Sequence, residues 1–261
     1  GVLNVAPTCA AAGIIVGSVT LTGLAQKFAD IIITYAGGSL ILTAIYTSLI
    51  VWIVGLAVPV TASYILCAVI AAPALIKLGV PDFAAHMFIF YYAVLSEVSP
   101  PTALSPFAAA AITGGNPYAT TLQSWKYTMP AFLVPFVFVL EPLGIGLLLK
   151  FPDGATWFDI LEITLQVGAG IALLAFAFQR YYRVRTNGVE TALFSVAGLL
   201  LVLPTIVAAI LKPIIGIDIS GYMPLFPQLG VHVGYNVVLA VLLFLAAHTM
   251  QRTRTVAPAT A

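Results

Sequence analysis

Ser96-Glu97-Val98-Ser99-Pro100-Pro101-Thr102 places a carboxylate and two adjacent prolines inside residues 83–114, a stretch that otherwise suits a membrane-spanning helix. Pro100 and Pro101 have no backbone N–H. The carbonyls of Ser96 and Glu97, four residues upstream, therefore lose their helical partners, and Ser99 is pushed out of helical geometry by the proline that follows it. The helix must break here. Ser99 suits an N-cap and Pro100 a first helical position, so a second half-helix is expected to start at once and run through Ala103–Thr113. Two half-helices meeting in this way put orphan carbonyls and the Glu97 carboxylate at the end of one and a positive dipole end at the start of the other. The bland alternative is a proline-kinked helix with Glu97 reaching an interface. Irregular backbone at membrane depth is tolerated only where it is buried in protein or lines a cavity, and intramembrane acids are functional by default.

Composition supports a membrane setting. Hydrophobic residues make up 61% of the chain and charged residues 7%, against roughly 25% charged in a soluble domain. An all-α, polytopic membrane protein is expected, with the lipid bilayer as its solvent. A net charge of +1 without any basic run gives no sign of a nucleic-acid partner. Cys9 and Cys67 lie in apolar surroundings and read as packed thiols rather than as a disulfide or metal ligands. The chain opens on Gly1, with no signal-peptide pattern behind it, and so reads as the back part of a longer protein.

Residues 5–36 pass from a small apolar run into Gly17-Ser18-Val19-Thr20-Leu21-Thr22-Gly23. These hydroxyls either bond back to the preceding turn or face a polar cavity where the helix opens, and the residues favour neither. Residues 39–57 and 64–78 form two apolar arms around Gly55-Leu56-Ala57-Val58-Pro59-Val60-Thr61. Pro59 takes the helical donor from the Gly55 carbonyl, so a turn is expected near Val58. No charge separates the arms. A re-entrant hairpin, 39–78, whose tip stops within the membrane fits this better than two full crossings, although the first arm is long enough to cross. His86, on the first half of 83–114, reads as a structural residue. Residues 118–126 suit a helix at headgroup level.

Plainer spans are expected at 129–149, 156–179, 190–211 and 229–250. If each crosses once, Lys126, Arg180, Arg183, Arg185, Arg252 and Arg254 fall on one side and Lys150 and Lys212 on the other. The first side, with the C-terminus, is then cytoplasmic, and the loops near Asp153 and Asp218 face the periplasm. Glu141, before Pro142, reads as a span end near the headgroups. The domain division expected is 1–126, holding the broken helices and the hairpin, and 127–261, holding C-terminal helices. The nucleotide-binding loop Gly-x-x-x-x-Gly-Lys-Ser/Thr is absent, and the three histidines are scattered. With no candidate nucleophile or acid pair, enzyme activity is not expected.

Three motifs in order, Ala10–Leu24, Gly55-Leu-Ala-Val-Pro-Val-Thr-Ala-Ser-Tyr64 and Phe90-Tyr-Tyr-Ala-Val-Leu-Ser-Glu-Val-Ser-Pro-Pro-Thr-Ala-Leu104, resemble the second half of the large membrane subunit of tripartite ATP-independent periplasmic (TRAP) transporters. The resemblance is to the fused permease of the TAXI type. It is specific over residues 1–150, whereas 151–261 resemble the variable C-terminal helices of that branch. Glu97 stands where the family commonly has Asp. Gly55-Leu56-Ala57-Val58-Pro59-Val60, with Thr61 following, stands where Gly-Met-Gly-x-Pro-Thr is usual.

The resemblance implies one repeat of an inverted-repeat elevator transporter in the bacterial inner membrane. Its partners would be a periplasmic substrate-binding protein and a small membrane subunit, possibly fused upstream, and an organic anion would enter by sodium symport. On that basis Gly55, Val58, Pro59 and Thr61 at the tip, and Glu97, Ser99, Pro100 and Pro101 at the break, are candidates to hold a sodium ion through oxygens. Ser99, Thr102, Thr20 and Thr22 are candidates to face the substrate carboxylate. Two rival readings stay open: a proton-coupled carrier, since desolvation favours a protonated carboxyl and Glu97 could then carry the proton, and a channel or non-transporting scaffold.

Overall fold

In the computed structural model, residues 2–152, 154–215, 222–226 and 231–256 are described. They fall into two units, Gly1–Thr128 and Met129–Ala261. Asp153 and Asp218, the side chains of Cys9 and Arg254, and residues 229–230 of the last expected span lie outside the described residues.

In the first unit, α1 (Val2–Leu21) and α2 (Leu24–Tyr35) meet at a 74° bend. Gly23 makes the bend by adopting φ 65°, a left-handed conformation that glycine takes without cost. Next come α3 (Leu40–Gly55), opened by the Ser39 side chain accepting from Leu42 N–H, and α4 (Val60–Lys77). These are the two arms expected from the sequence, with a turn at Leu56–Pro59. Ala68, Ala71, Ala72 and Ala74 of α4 are buried, and such small side chains let α2, α3 and α5 pack closely on it. The α5 helix (Asp82–Leu95) passes into a single 3-10 turn, Ser96–Val98, and the chain restarts as α6 (Leu104–Thr113) and α7 (Pro117–Thr128).

The second unit departs from the expectation of plain spans. Residues 129–149 are a 3-10 turn at Met129–Leu133, a seven-residue α8 (Val134–Leu140) and another 3-10 turn at Gly144–Leu148. Seven helical residues rise about 10 Å against the ~30 Å of a hydrocarbon core. Pro130, Pro135 and Pro142 interrupt the hydrogen-bond ladder and prevent one continuous helix. After α9 (Trp157–Gln179), the expected span 190–211 is two helices, α10 (Gly188–Val202) and α11 (Pro204–Ile215), bent by 115°. A short antiparallel ribbon, β1 (Tyr222–Phe226) with β2 (Val231–Gly234), leads into α12 (Tyr235–Val256).

The core of this unit is α10 packed on α9 and α12. Gly170 and Gly198 allow the close approach: a Cβ on Gly170 would lie 2.6 Å from Val202 Cγ2, and one on Gly198 2.6 Å from Leu174 Cγ. At one end, fully buried Glu190 accepts from the Asn187 N–H (2.9 Å) and from Gln251 (3.2 Å), while the Asn187 side chain accepts from the Glu190 N–H. This capping box also ties down the loop after α9, because Gln251 Oε1 accepts from the Arg183 N–H. Arg180, Arg183 and Arg185 are thereby gathered with Arg252 at one end of the unit. Among the described residues, three helices are long and apolar enough to cross a membrane, or up to five if each bent pair is one span. Apart from the short β1–β2 ribbon, the described residues form an all-α, multi-pass membrane protein.

Candidate functional site

The turn at Leu56–Pro59 and the break after α5 meet around a cavity of about 260 Å³. Gly55, Val58, Pro59 and Glu97 line it, as does Thr102, so the cavity gathers five of the residues singled out from sequence. Leu56, Ala57 and Leu104 line it too, and sequence reasoning did not single them out as site residues. The contact between the tip and the break is tight. A Cβ on Gly55 would lie 2.5 Å from Ser96 Oγ and 2.8 Å from Ser96 Cβ, so only glycine lets the end of α3 rest on the start of the break.

Each interruption leaves carbonyl oxygens without helical donors. At the tip, the N–H groups of Ala57 and Val58 both go to the Val54 carbonyl, and Pro59 has none to offer Gly55. At the break, the Ser96 carbonyl is taken by the Ser99 N–H (3.1 Å). Among the described residues no backbone N–H reaches the Gly55, Glu97 or Val98 carbonyls. The Glu97 side chain is half-buried and has no ion-pair partner among the described residues.

Ser99 behaves differently from the expectation. It is fully buried, and its hydroxyl donates back to the Leu95 carbonyl at 2.8 Å instead of capping a new helix. Its backbone is extended, the Pro100-Pro101 peptide is cis, and Ala103 takes φ 39° as the residue before α6. The second half-helix therefore starts at Leu104, with neither Pro100 at its first position nor a side-chain cap. A serine one residue before a proline can serve its own upstream turn as readily as a downstream one, and here the upstream carbonyl wins. Thr61, Ser99, Pro100 and Pro101 are not among the lining residues.

Thr20 and Thr22 are exposed, near the Gly23 bend, and do not line the cavity. The Thr22 hydroxyl bonds back to the Ser18 carbonyl at 2.8 Å, the local alternative of the two considered for it. His86 pairs its Nδ1 with the Tyr64 hydroxyl at 3.1 Å, as a structural histidine would. Ser63 Oγ is buried and lies 3.3 Å from where a Gly55 Cβ would sit.

Glu141 is the clearest correction. It is 8% exposed rather than at an open span end, and it caps the start of α11: Thr205 donates its N–H to Oε1 (3.1 Å) and its hydroxyl to Oε2 (2.7 Å). Only the Pro204 break, hidden in an apolar run, could have signalled that a helix start 64 residues away needed an acceptor.

No significant match was found among curated proteins, and none among solved structures. A family model described as "Tripartite ATP-independent periplasmic transporter, DctM component" matches residues 2–149. Those residues carry both arms of the hairpin and the proline break, and they are more than half of the chain, which therefore belongs to the DctM family of TRAP transporter membrane permeases.

Proposed function

We propose that the first unit is one repeat of the transport domain of a sodium-driven importer, taking up an organic anion such as a carboxylate by an elevator movement. Membership of a tripartite periplasmic transporter family implies a periplasmic binding protein and a small membrane subunit as partners. The observation that carries the reading is the cavity shared by the Gly55–Pro59 tip and the Glu97–Thr102 break. Discontinuous helices of this kind leave oxygens for a cation and helix ends for an anion. The Gly55, Glu97 and Val98 carbonyls, with the Glu97 carboxylate, are hard oxygen donors of the type that small cations prefer.

The C-terminus is assigned to the cytoplasm of a bacterial inner membrane. The support is the arginine end of the second unit, where Arg183 meets Gln251, read with the positive-inside bias. It does not rest on counting crossings, since 129–149 and 190–211 are not single straight spans.

The test is uptake of labelled carboxylates into vesicles holding the intact transporter and its binding protein. Replacing sodium by potassium at fixed pH is expected to abolish gradient-driven uptake, and undiminished uptake would remove the sodium reading. Glu97 lining the cavity also favours a second reading, in which it carries a coupling proton. Full gradient-driven uptake in Glu97→Gln would exclude that one.

A further inference from the structure

We propose that the second unit has a cation site of its own, in the cavity of about 280 Å³ at the α10–α11 break, for a hard cation such as sodium or calcium. This goes beyond the transport reading above and rests on different residues. The break begins with Pro204, which cannot donate to the Leu200 carbonyl, while the N–H of Thr205 is turned to Glu141 and leaves the Leu201 carbonyl open. Two side chains answer. Gln166 Nε2 donates to the Leu201 carbonyl (3.0 Å), and Asn236 Nδ2 donates to the Leu200 carbonyl (3.2 Å).

These bonds settle which way each amide faces. With the nitrogens committed to α10, the amide oxygens are turned away from it, and both residues line the cavity. Asn236 is 8% exposed, and its oxygen has no hydrogen-bond partner among the described residues. That oxygen sits against Gly234, itself a lining residue, where a Cβ would overlap it. An amide oxygen that lines a cavity without a donor is free to accept from or coordinate whatever enters it.

The remaining lining supplies the charge. Glu141 is held in place by its two bonds from Thr205, and each carboxylate oxygen keeps further acceptor capacity. Glu162 lines the same cavity from α9. No lysine, arginine or histidine lines it. Capping explains why Glu141, Gln166 and Asn236 are fixed, but it explains neither the second carboxylate nor the unpaired Asn236 oxygen. Two carboxylates with two amide oxygens, and no thiolate or imidazole, match a hard cation and disfavour both anions and soft metals. The α11 N-terminus attracts no anion here, because Glu141 already occupies it.

The experiment is equilibrium binding of radiolabelled sodium and, separately, calcium to the intact chain in lipid nanodiscs, with choline as the balancing cation. The Glu97→Gln background removes the carboxylate of the other cavity. A saturable component for one of the two cations is expected in that background, and its identity tells sodium from calcium. Glu162→Gln, an exposed change that should not disturb folding, is expected to weaken that component by about tenfold, and Glu141→Gln at least as much. No saturable component for either cation in the Glu97→Gln background, or one that Glu162→Gln leaves unchanged, would overturn the proposal.

Discussion

Proline breaks follow α5 in the first unit and α10 in the second, and the two are finished in opposite ways. After α10, Pro204 and the diverted Thr205 N–H orphan two carbonyls, and Asn236 and Gln166 supply a donor to each, while Glu141 caps the helix that follows. After α5, the Ser96 carbonyl is taken by the Ser99 N–H, but among the described residues no donor reaches the Glu97 and Val98 carbonyls, and α6 begins without a side-chain cap. Losing hydrogen bonds is common to both, so the interruption alone does not make a transport site. What distinguishes the α5 break is that its oxygens are left open beside a cavity, a state a membrane protein keeps only where protein, water or a ligand can complete it. At the α10 break both carbonyls are already taken by amide donors.

The comparison breaks most visibly at Glu141. Glu141→Ala removes both acceptors of Thr205 and with them the cap of α11, so the second unit is expected to lose about 2 kcal/mol. Unfolding of the purified chain in micelles measures this. A loss below about 0.5 kcal/mol would mean that the α11 start does not depend on its cap.

Gly55→Ala addresses the open break. The new methyl meets Ser96 Oγ and Cβ at 2.5 and 2.8 Å, so the tip must withdraw from the break or Ser96 must turn. Overpacking of this kind costs about 2 kcal/mol, and uptake should fall more than stability, because the cavity wall itself moves. Ser96→Gly is the control, since it removes both clashing atoms and should restore uptake in the double variant. Additive losses instead of rescue would show that the two residues are not in contact in the working protein.

Asn236→Leu and Gln166→Leu come next. Each returns one carbonyl of α10 to the orphan state that the α5 break already has, at a cost of about 1–2 kcal/mol. The bend should then loosen and amide exchange at Thr205 should rise. If exchange there stayed as slow as in the wild type, the 115° bend would be held by packing rather than by these two amides.

How much of this was legible in the sequence follows the range of the forces involved. Pro59, Pro100 and Pro101 act on carbonyls four residues away, so the tip and the break could be placed, and the sequence of the two arms, 39–57 and 64–78, matched α3 and α4 closely. The same rule applied to Pro130, Pro135, Pro142 and Pro204 would have divided 129–149 and 190–211, but their surrounding apolar runs read as continuous spans. Ser99 was misjudged because two carbonyl-seeking geometries compete at one serine, and the outcome depends on Ala103 adopting a positive φ that no residue type announces. The pairings Glu141 with Thr205, Gln166 with Leu201 and Asn236 with Leu200 join residues 35–64 positions apart, and only the packed helices bring them together.

The smallest effect is expected at a third interruption, the Thr22–Gly23 bend, made by glycine rather than proline. Glycine keeps its N–H, and there the bond to the Thr20 carbonyl (3.1 Å) is retained while Thr22 serves the Ser18 carbonyl twice, through its N–H and its hydroxyl. The Ser18 and Thr20 carbonyls are thus both served, and Thr22 is exposed to begin with. Thr22→Val removes only the hydroxyl bond, so stability should change by less than about 0.5 kcal/mol and uptake hardly at all. A large loss of uptake with stability intact would give Thr22 the substrate-facing role considered for it from sequence, and would show that a hydroxyl already bonded to its own helix can still be presented to the transported anion. The rule that openness marks the working break would then hold for the cation alone.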